Sequence, residues 1–140
     1  MEKEIQDVFL GRLTYDESLD WYEGTAGDGV TIYIYTDEDS RPDPALAYAR
    51  QVLADLPGLD RRARQIAADA LLENKNETWL EEDEPPVSED EFQVRLTLES
   101  ITFYPDETAE VFYADGDLFW GHTILLNLEG NTLTGAHLAG

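Results

Sequence analysis

Two carboxylates and an imidazole, on Asp115, Asp117 and His122, lie close together late in the chain. These side chains could bind a metal ion or transfer protons, because carboxylates and imidazoles are common metal ligands and acid–base groups in proteins. A calcium loop would need further oxygen ligands at fixed spacing, and a zinc or iron site would need two or three imidazoles. A small enzyme or a metal-dependent binder that uses His122 with Asp115 and Asp117 is therefore one hypothesis.

The chain contains one other histidine, His137. If the last two strands pair around Gly130, His122 and His137 face each other and could hold a metal ion, or both could be structural residues of a sheet. The sequence favours the structural interpretation and predicts no cofactor. It contains no cysteine, nucleophile elbow, P-loop or glycine-rich dinucleotide motif. These absences exclude disulfides, thiolate metal sites and the commonest phosphate-binding loops.

The same segment has the strongest turn signal in the chain. Residues 115–117 lie between two apolar runs, and the central glycine supplies the positive φ that hairpin turns require. From residue 118 to 128 apolar residues occur at both odd and even positions, which predicts a central strand that is covered on both faces. An aromatic pair in this strand would fill opposite faces, although it could instead form a ligand-stacking platform. The residues expected to be structural are Gly116, Phe119, Trp120 and Gly121.

The elements that position this segment are mostly strands. Segments rich in β-branched and aromatic residues alternate with turn residues, which predicts about seven mostly antiparallel strands. Three form an N-terminal meander and four form a C-terminal run, in one sheet or in two. The predicted strands cover residues 8–15, 19–23, 30–35, 98–104, 108–114, 118–128 and 132–138.

Two helices are predicted between the two groups of strands. Asp43 is the expected N-cap of the first helix, and Pro57-Gly58 is expected to end it. The second helix is expected to run from residue 59 to 80 and to carry a basic face of Arg61, Arg62, Arg64 and Lys75. A charged linker with two prolines follows, and Ser88 with Glu91 then matches a capping box that opens a short third helix. The predicted fold class is α+β, with the strands packed on a two-helix hairpin in a single domain of residues 1–140.

The net charge of −22 is distributed unevenly along the chain. Residues 1–40 carry eleven acids and two bases, residues 41–80 carry six of each, and residues 81–140 carry fourteen acids and one base. Such a field repels nucleic acids and anionic membranes, and it favours a basic protein as the partner. We expect a non-enzymatic acidic interaction module of an antitoxin-like, immunity-type or nucleic-acid-mimicking kind. The candidate binding residues are Glu107, Glu110, Asp115 and Asp117, with Tyr33 and Tyr35 as aromatic anchors.

Several strings of residues resemble a known family: Gly11-Arg-Leu-Thr-Tyr-Asp-Glu-Ser18, Trp21-Tyr-Glu-Gly24, Trp79-Leu-Glu-Glu82, Asp115-Gly-Asp-Leu-Phe-Trp-Gly-His122 and the closing Ala139-Gly140. Together they are similar to the uncharacterised bacterial family filed as domain of unknown function 2262. The resemblance covers nearly the whole chain and implies a compact bacterial α+β domain with no assigned activity. A cytoplasmic location is expected from the polar N-terminus and the short apolar runs. The oligomeric state is left open.

Overall fold

A computed structural model describes residues 3–8, 10–26 and 29–139, which form one eight-stranded sheet and three helices. The strands lie in the sheet in the order in which they occur in the chain. Every neighbouring pair is antiparallel except β4 and β5, which are parallel because the helical segment between them returns the chain across the sheet. In chain order, the elements are β1 Glu4–Asp7, β2 Gly11–Asp16, β3 Trp21–Thr25, β4 Thr31–Tyr35, α1 Asp43–Leu53, α2 Leu56–Thr78, α3 Glu89–Arg95, β5 Thr97–Phe103, β6 Thr108–Ala114, β7 Thr123–Glu129 and β8 Thr132–Ala139.

The predicted α+β class and the C-terminal run of four strands are confirmed, and the structure has one sheet. The N-terminal group contains four strands instead of three, because β1 precedes the predicted strand 8–15, most of which forms β2. Phe9 of that predicted strand lies outside the described residues, and so do Gly27 and Asp28 of the turn predicted between the strands 19–23 and 30–35. β1 is polar and has no apolar alternation to predict it. It is held by Asp7, whose buried carboxylate pairs with Arg50 of α1 at 2.9 Å.

One face of the sheet packs against α1 and α2 and contains the hydrophobic core. The ring of Tyr48 in α1 lies 5.8 Å from that of Phe103 in β5, and the hydroxyl of Tyr113 in β6 donates a hydrogen bond to Asp60 of α2. Alternate strand residues point away from the helices and are only partly buried. We call this second side the open face. The fully buried strand residues on the helix side include Ile32, Ile34, Ile101, Phe103, Val111, Tyr113, Ile124 and Leu126.

Two helix boundaries differ from the prediction. Pro57-Gly58 does not end α1 but lies in the first turn of α2. A proline is tolerated there because the first backbone N–H groups of a helix have no intrahelical acceptor, so its missing N–H removes no hydrogen bond. Asp55 is the N-cap of α2, and its carboxylate accepts a hydrogen bond from the Gly58 amide at 3.2 Å. Asp43 lies inside α1, where Pro42 takes the cap position without a side-chain bond. The cap of α3 is confirmed, since Ser88 accepts from the Glu91 amide at 3.1 Å.

The sequence predicted that Lys75 lies on an outward basic face of α2, and this prediction is wrong. Its side chain is 1% exposed, and its ammonium donates to the Trp79 carbonyl at 2.8 Å and pairs with Glu84 at 3.0 Å. Glu84 belongs to the acidic linker, which therefore folds back over the end of α2. A buried ammonium requires such partners, because an unpaired charge is very costly away from water. No helix within the described ranges combines the length and apolarity that a membrane crossing requires.

Candidate functional site

Residues 115–122 form a loop and not the first half of a central strand. β7 begins only at Thr123. Asp115 is 4% exposed, and its carboxylate accepts hydrogen bonds from four backbone amides within the loop. The donors and distances are Asp117 at 2.9 Å, Phe119 at 2.8 Å, Gly121 at 3.1 Å and His122 at 3.1 Å. This local network replaces the hydrogen bonds that a neighbouring strand would supply, and it explains why an apolar run does not extend β7.

The loop exposes Trp120, contrary to the prediction that this ring fills the sheet. Trp120 is 55% exposed, whereas Phe119 is fully buried as predicted. Trp120 also has a positive φ of 59°, a conformation that a bulky residue adopts only when its surroundings impose it. The Trp79 ring contacts three rings of the loop. It lies 4.8 Å from Trp120, 5.3 Å from His122 and 5.7 Å from Phe119, and we call these four residues the Trp79 cluster.

His122 and His137 do not face each other. In the register of β7 and β8, His137 pairs with Leu125, because the turn sets Glu129 opposite Thr132 and β7 starts only after His122. The Nδ1 atom of His122 lies 2.6 Å from the Phe119 carbonyl, and since a carbonyl can only accept, Nδ1 carries the proton. Among the residues that the structure describes, no three histidine, aspartate or glutamate side chains are grouped to hold a metal ion.

The four acidic candidates from the sequence are not brought together. Glu110 lies in the middle of β6, Glu107 precedes that strand with a positive φ of 63°, and Asp115 and Asp117 follow it. Asp117 is exposed, but the Asp115 carboxylate is committed to the loop backbone. Of these four, Glu110 is the residue that shares a groove with the aromatic candidates Tyr33 and Tyr35.

That groove lies on the open face and is lined mainly by aromatic side chains. Because paired residues point to the same side of a sheet, the register aligns Tyr35 with Trp21 and sets Tyr33 beside Thr102, which in turn pairs with Glu110. The groove has a volume of about 430 Å³. Its lining consists of Trp21, Tyr33, Tyr35, Glu99, Ser100, Thr102, Tyr104, Glu110, Phe112 and Thr123.

Four of these rings form a continuous row across β3, β4 and the end of β5. The Trp21 ring lies 4.5 Å from that of Tyr33 and 5.3 Å from that of Tyr35, and Tyr35 stacks on Tyr104 at 4.9 Å. The indole Nε1–H of Trp21 is buried and has no acceptor within the described part of the chain. A buried donor without an acceptor costs about 1–3 kcal/mol.

Carboxylates give the groove a negative potential. The Tyr104 hydroxyl donates a hydrogen bond to the Glu110 carboxylate, and burial together with this carboxylate raises the pKa of Tyr104 well above its usual value. Burial and the charge of Glu23 likewise raise the pKa of Tyr33. Arg12, the one lysine or arginine within the eight described strands, already pairs with Glu4 at 2.9 Å.

A second groove of about 1040 Å³ shares Tyr104 and Glu110 with the first. It extends from the open face to the loop before α1, and it is more acidic. The sequence analysis did not predict that these aromatic and acidic residues share grooves, because it predicted the faces of single strands but not the register between strands. The alternation of Tyr33 and Tyr35 in β4 was the available signal. The acids that line the second groove are Asp37, Glu38, Asp39, Asp106, Glu110 and Glu129.

Fold and site together define an α+β protein with one sheet face covered by helices and the other carrying an aromatic, acidic groove. The chain belongs to the family described as "Uncharacterized protein conserved in bacteria (DUF2262)", which matches residues 7–137. The resemblance found in the sequence is thereby confirmed. No curated protein and no solved structure matches the chain.

Proposed function

We propose that the protein is a non-enzymatic interaction module that binds a basic protein through the open face of its sheet. The observation that carries this proposal is the meeting of Tyr33, Tyr35 and Glu110 in one groove with further aromatic rings. Aromatic side chains at the centre of a surface and charges around it are the usual composition of a protein interface. The alternative, an enzyme or metal binder built on His122, is supported less because the Asp115 carboxylate is used by the loop backbone.

The charge distribution supports a basic partner. Apart from Lys3, Arg12 and Arg41, all bases of the chain lie on α1, α2 and α3, whereas the strands carry acids on the open face. A positively charged surface that approaches this face is attracted over distances comparable to the Debye length, about 8 Å at physiological salt. Such attraction acts mainly on the association rate, and apolar and aromatic contacts then determine the lifetime of the complex.

The test begins with capture of partners from a bacterial lysate on the immobilised chain, followed by binding kinetics with the purified partner. We expect a basic protein whose association rate falls at least about tenfold as salt rises from low to above physiological concentration. Charge reversal by Glu23→Lys with Glu99→Lys, two exposed acids of the open face, should lower that rate further.

The matched control is Glu73→Lys with Glu77→Lys, which makes the same change of charge at exposed positions of α2. It should affect the association rate much less, because these residues lie away from the open face. Folding of all variants is checked by circular dichroism. An acidic partner would contradict the proposal. Equal effects of the two charge reversals would show that net charge matters and the open face does not.

A further inference from the structure

The aromatic row on the open face has the composition of a site for an organic cation. Ring faces carry negative electrostatic potential, and a cation within about 6 Å of a ring centroid is attracted to it. The row formed by Tyr33, Trp21, Tyr35 and Tyr104 offers four adjacent rings with centroids 4.5–5.3 Å apart. Two acidic residues, Glu99 and Glu110, line the same groove.

The helix side of the same sheet shows how this chain pairs a ring with its own cation. Arg64 lies over the Tyr113 ring at 5.4 Å, and its guanidinium also bonds to Asp60 and to the carbonyls of Gln93 and Leu96. No lysine or arginine lies among the residues that line the aromatic groove. The groove therefore has rings and carboxylates in place, while its lining supplies no cation of its own.

The size and chemistry of the groove limit what the cation can be. A volume of about 430 Å³ is at the lower end of the range for small-molecule sites, so it suits a head group and not a large ligand. Ring faces cannot replace the water around a small, strongly hydrated metal ion. They suit weakly hydrated cations, namely guanidinium and alkylated ammonium groups.

We infer that this groove binds a guanidinium or alkylated ammonium group. The inference rests on the proposed function and deepens it, since it names the chemical group that the open face selects. That group can be the side chain of an arginine or methylated lysine on the basic partner, or the head of a free organic cation. Trp21 and Tyr35 form the central ring pair, and Glu110 fixes the orientation of Tyr104 through its hydroxyl.

The experiment titrates the full chain with choline and with a capped Gly-Arg-Gly peptide, and it follows the three indole N–H signals by NMR. Trp21 lies in the groove, whereas Trp79 and Trp120 belong to the Trp79 cluster and serve as internal controls. We expect the Trp21 signal to shift and saturate while the other two stay in place. The neutral isostere 3,3-dimethylbutan-1-ol should bind at least about tenfold more weakly than choline.

Variants then locate the site. Tyr35→Leu should weaken binding of both cations at least about tenfold, and Trp120→Phe, outside the groove, should change it less than about twofold. Glu110→Gln, which keeps the shape of the side chain, should weaken binding as well and serves as a second variant if Tyr35→Leu does not fold. Equal binding of the isostere, a linear drift of all three indole signals, or no effect of Glu110→Gln would overturn the inference.

The two probes distinguish the two sources of the cation. Tighter binding of the peptide indicates a side chain of the partner, and tighter binding of choline indicates a free organic cation. The outcome also separates this inference from the proposed function. If neither probe binds but Glu23→Lys with Glu99→Lys still slows association of the basic partner, the cation site is wrong and the proposed function stands. If the probes bind but that charge reversal does not slow association of the basic partner, the cation site stands and the proposed function is wrong.

Discussion

Asp115 is the residue whose role changes most between a chemical and a structural interpretation. The residue is 4% exposed and its carboxylate accepts four backbone hydrogen bonds, so it stabilises its loop and is not available to a substrate. The neighbouring Asp117 is exposed and contributes its amide, not its carboxylate, to this network. The two residues differ by two positions in sequence and can be compared directly by the same substitution.

The first prediction concerns this pair. Asp115→Asn should lower the free energy of unfolding by about 2–3 kcal/mol, because an amide group would turn donors toward amides that need an acceptor. Asp117→Asn should stay within about 0.5 kcal/mol, since asparagine tolerates the positive φ of 63° at this exposed position. Urea unfolding measures both values. Similar losses in the two variants would show that the amide network contributes little.

The second prediction compares the neighbouring aromatic residues of the loop. Trp120→Ala should cost about 1 kcal/mol, because a ring that is 55% exposed loses little burial when it is removed. Phe119→Ala should cost about 3–5 kcal/mol, the usual loss for a fully buried ring. Denaturant unfolding again provides the measurement. A loss of several kcal/mol from Trp120→Ala would mean that its contact with Trp79 is much stronger than its exposure indicates.

The third prediction concerns alkaline pH. Burial, then the charges of Glu107 and Asp106, raise the pKa of Tyr48 to about 12, while an unfolded tyrosine ionises near 10. The folded state therefore keeps its proton after the unfolded state has lost it. This contribution to stability is complete below pH 10 and is lost as the pH rises toward 12. The melting temperature should fall over that interval, and less steeply in Tyr48→Phe. An equal slope in the variant would assign the loss to other tyrosines.

At the scale of elements, the sequence correctly predicted those helix and strand boundaries that depend on residues adjacent in the chain. The bounds of β6 agree with the prediction, since Thr108–Ala114 alternates cleanly between turns, and the Ser88 cap places α3. The predicted start of β7 was wrong because the Asp115 carboxylate accepts the hydrogen bonds of the loop backbone. The periodicity of apolar residues does not reveal such a network. The burial of Lys75 was missed because its partner Glu84 is brought close by the folding of the linker.

The candidate site was predictable only in part, for the same reason. Alternation in β4 placed Tyr33 and Tyr35 on one face, and excess acid indicated the sign of the potential. Trp21, Tyr104 and Glu110 join them through the register of four strands, including the parallel pair β4 and β5. The crossover that makes this pair parallel spans all three helices. Long-range pairing of this kind leaves no pattern within any one segment.

The fourth prediction tests which aspartate caps a helix. Asp55→Ala should cost about 1 kcal/mol, because it removes the acceptor for the Gly58 amide at the start of α2. Asp43→Ala should cost about half of that or less, since Asp43 makes no cap bond and acts only through its charge near the start of α1. Thermal unfolding of the two variants decides. A larger loss of stability in Asp43→Ala than in Asp55→Ala would support Asp43 as the N-cap, as the sequence predicted.

At the scale of the whole molecule, the lysines and arginines lie mainly on the helix side of the sheet. The helices carry most of the bases and engage them with backbone carbonyls and nearby acids, as Arg64 and Lys75 do. The open face and the loop before α1 carry acids that have few such partners among the described residues. A chain with 31 acids and nine bases therefore stores electrostatic repulsion, and the acids of the open face contribute to it.

The last prediction follows from this repulsion. Raising the salt concentration from about 10 mM to about 150 mM shortens the Debye length from about 30 Å to about 8 Å, and screening should raise the melting temperature. Differential scanning calorimetry at pH 7 measures the shift. In the double variant Glu23→Gln with Glu99→Gln the melting temperature at low salt should be higher and the salt effect smaller, because two repelling charges of the open face are gone. A melting temperature that is flat or falls with salt, or an unchanged salt effect in the double variant, would mean that cations or paired bases already neutralise these acids.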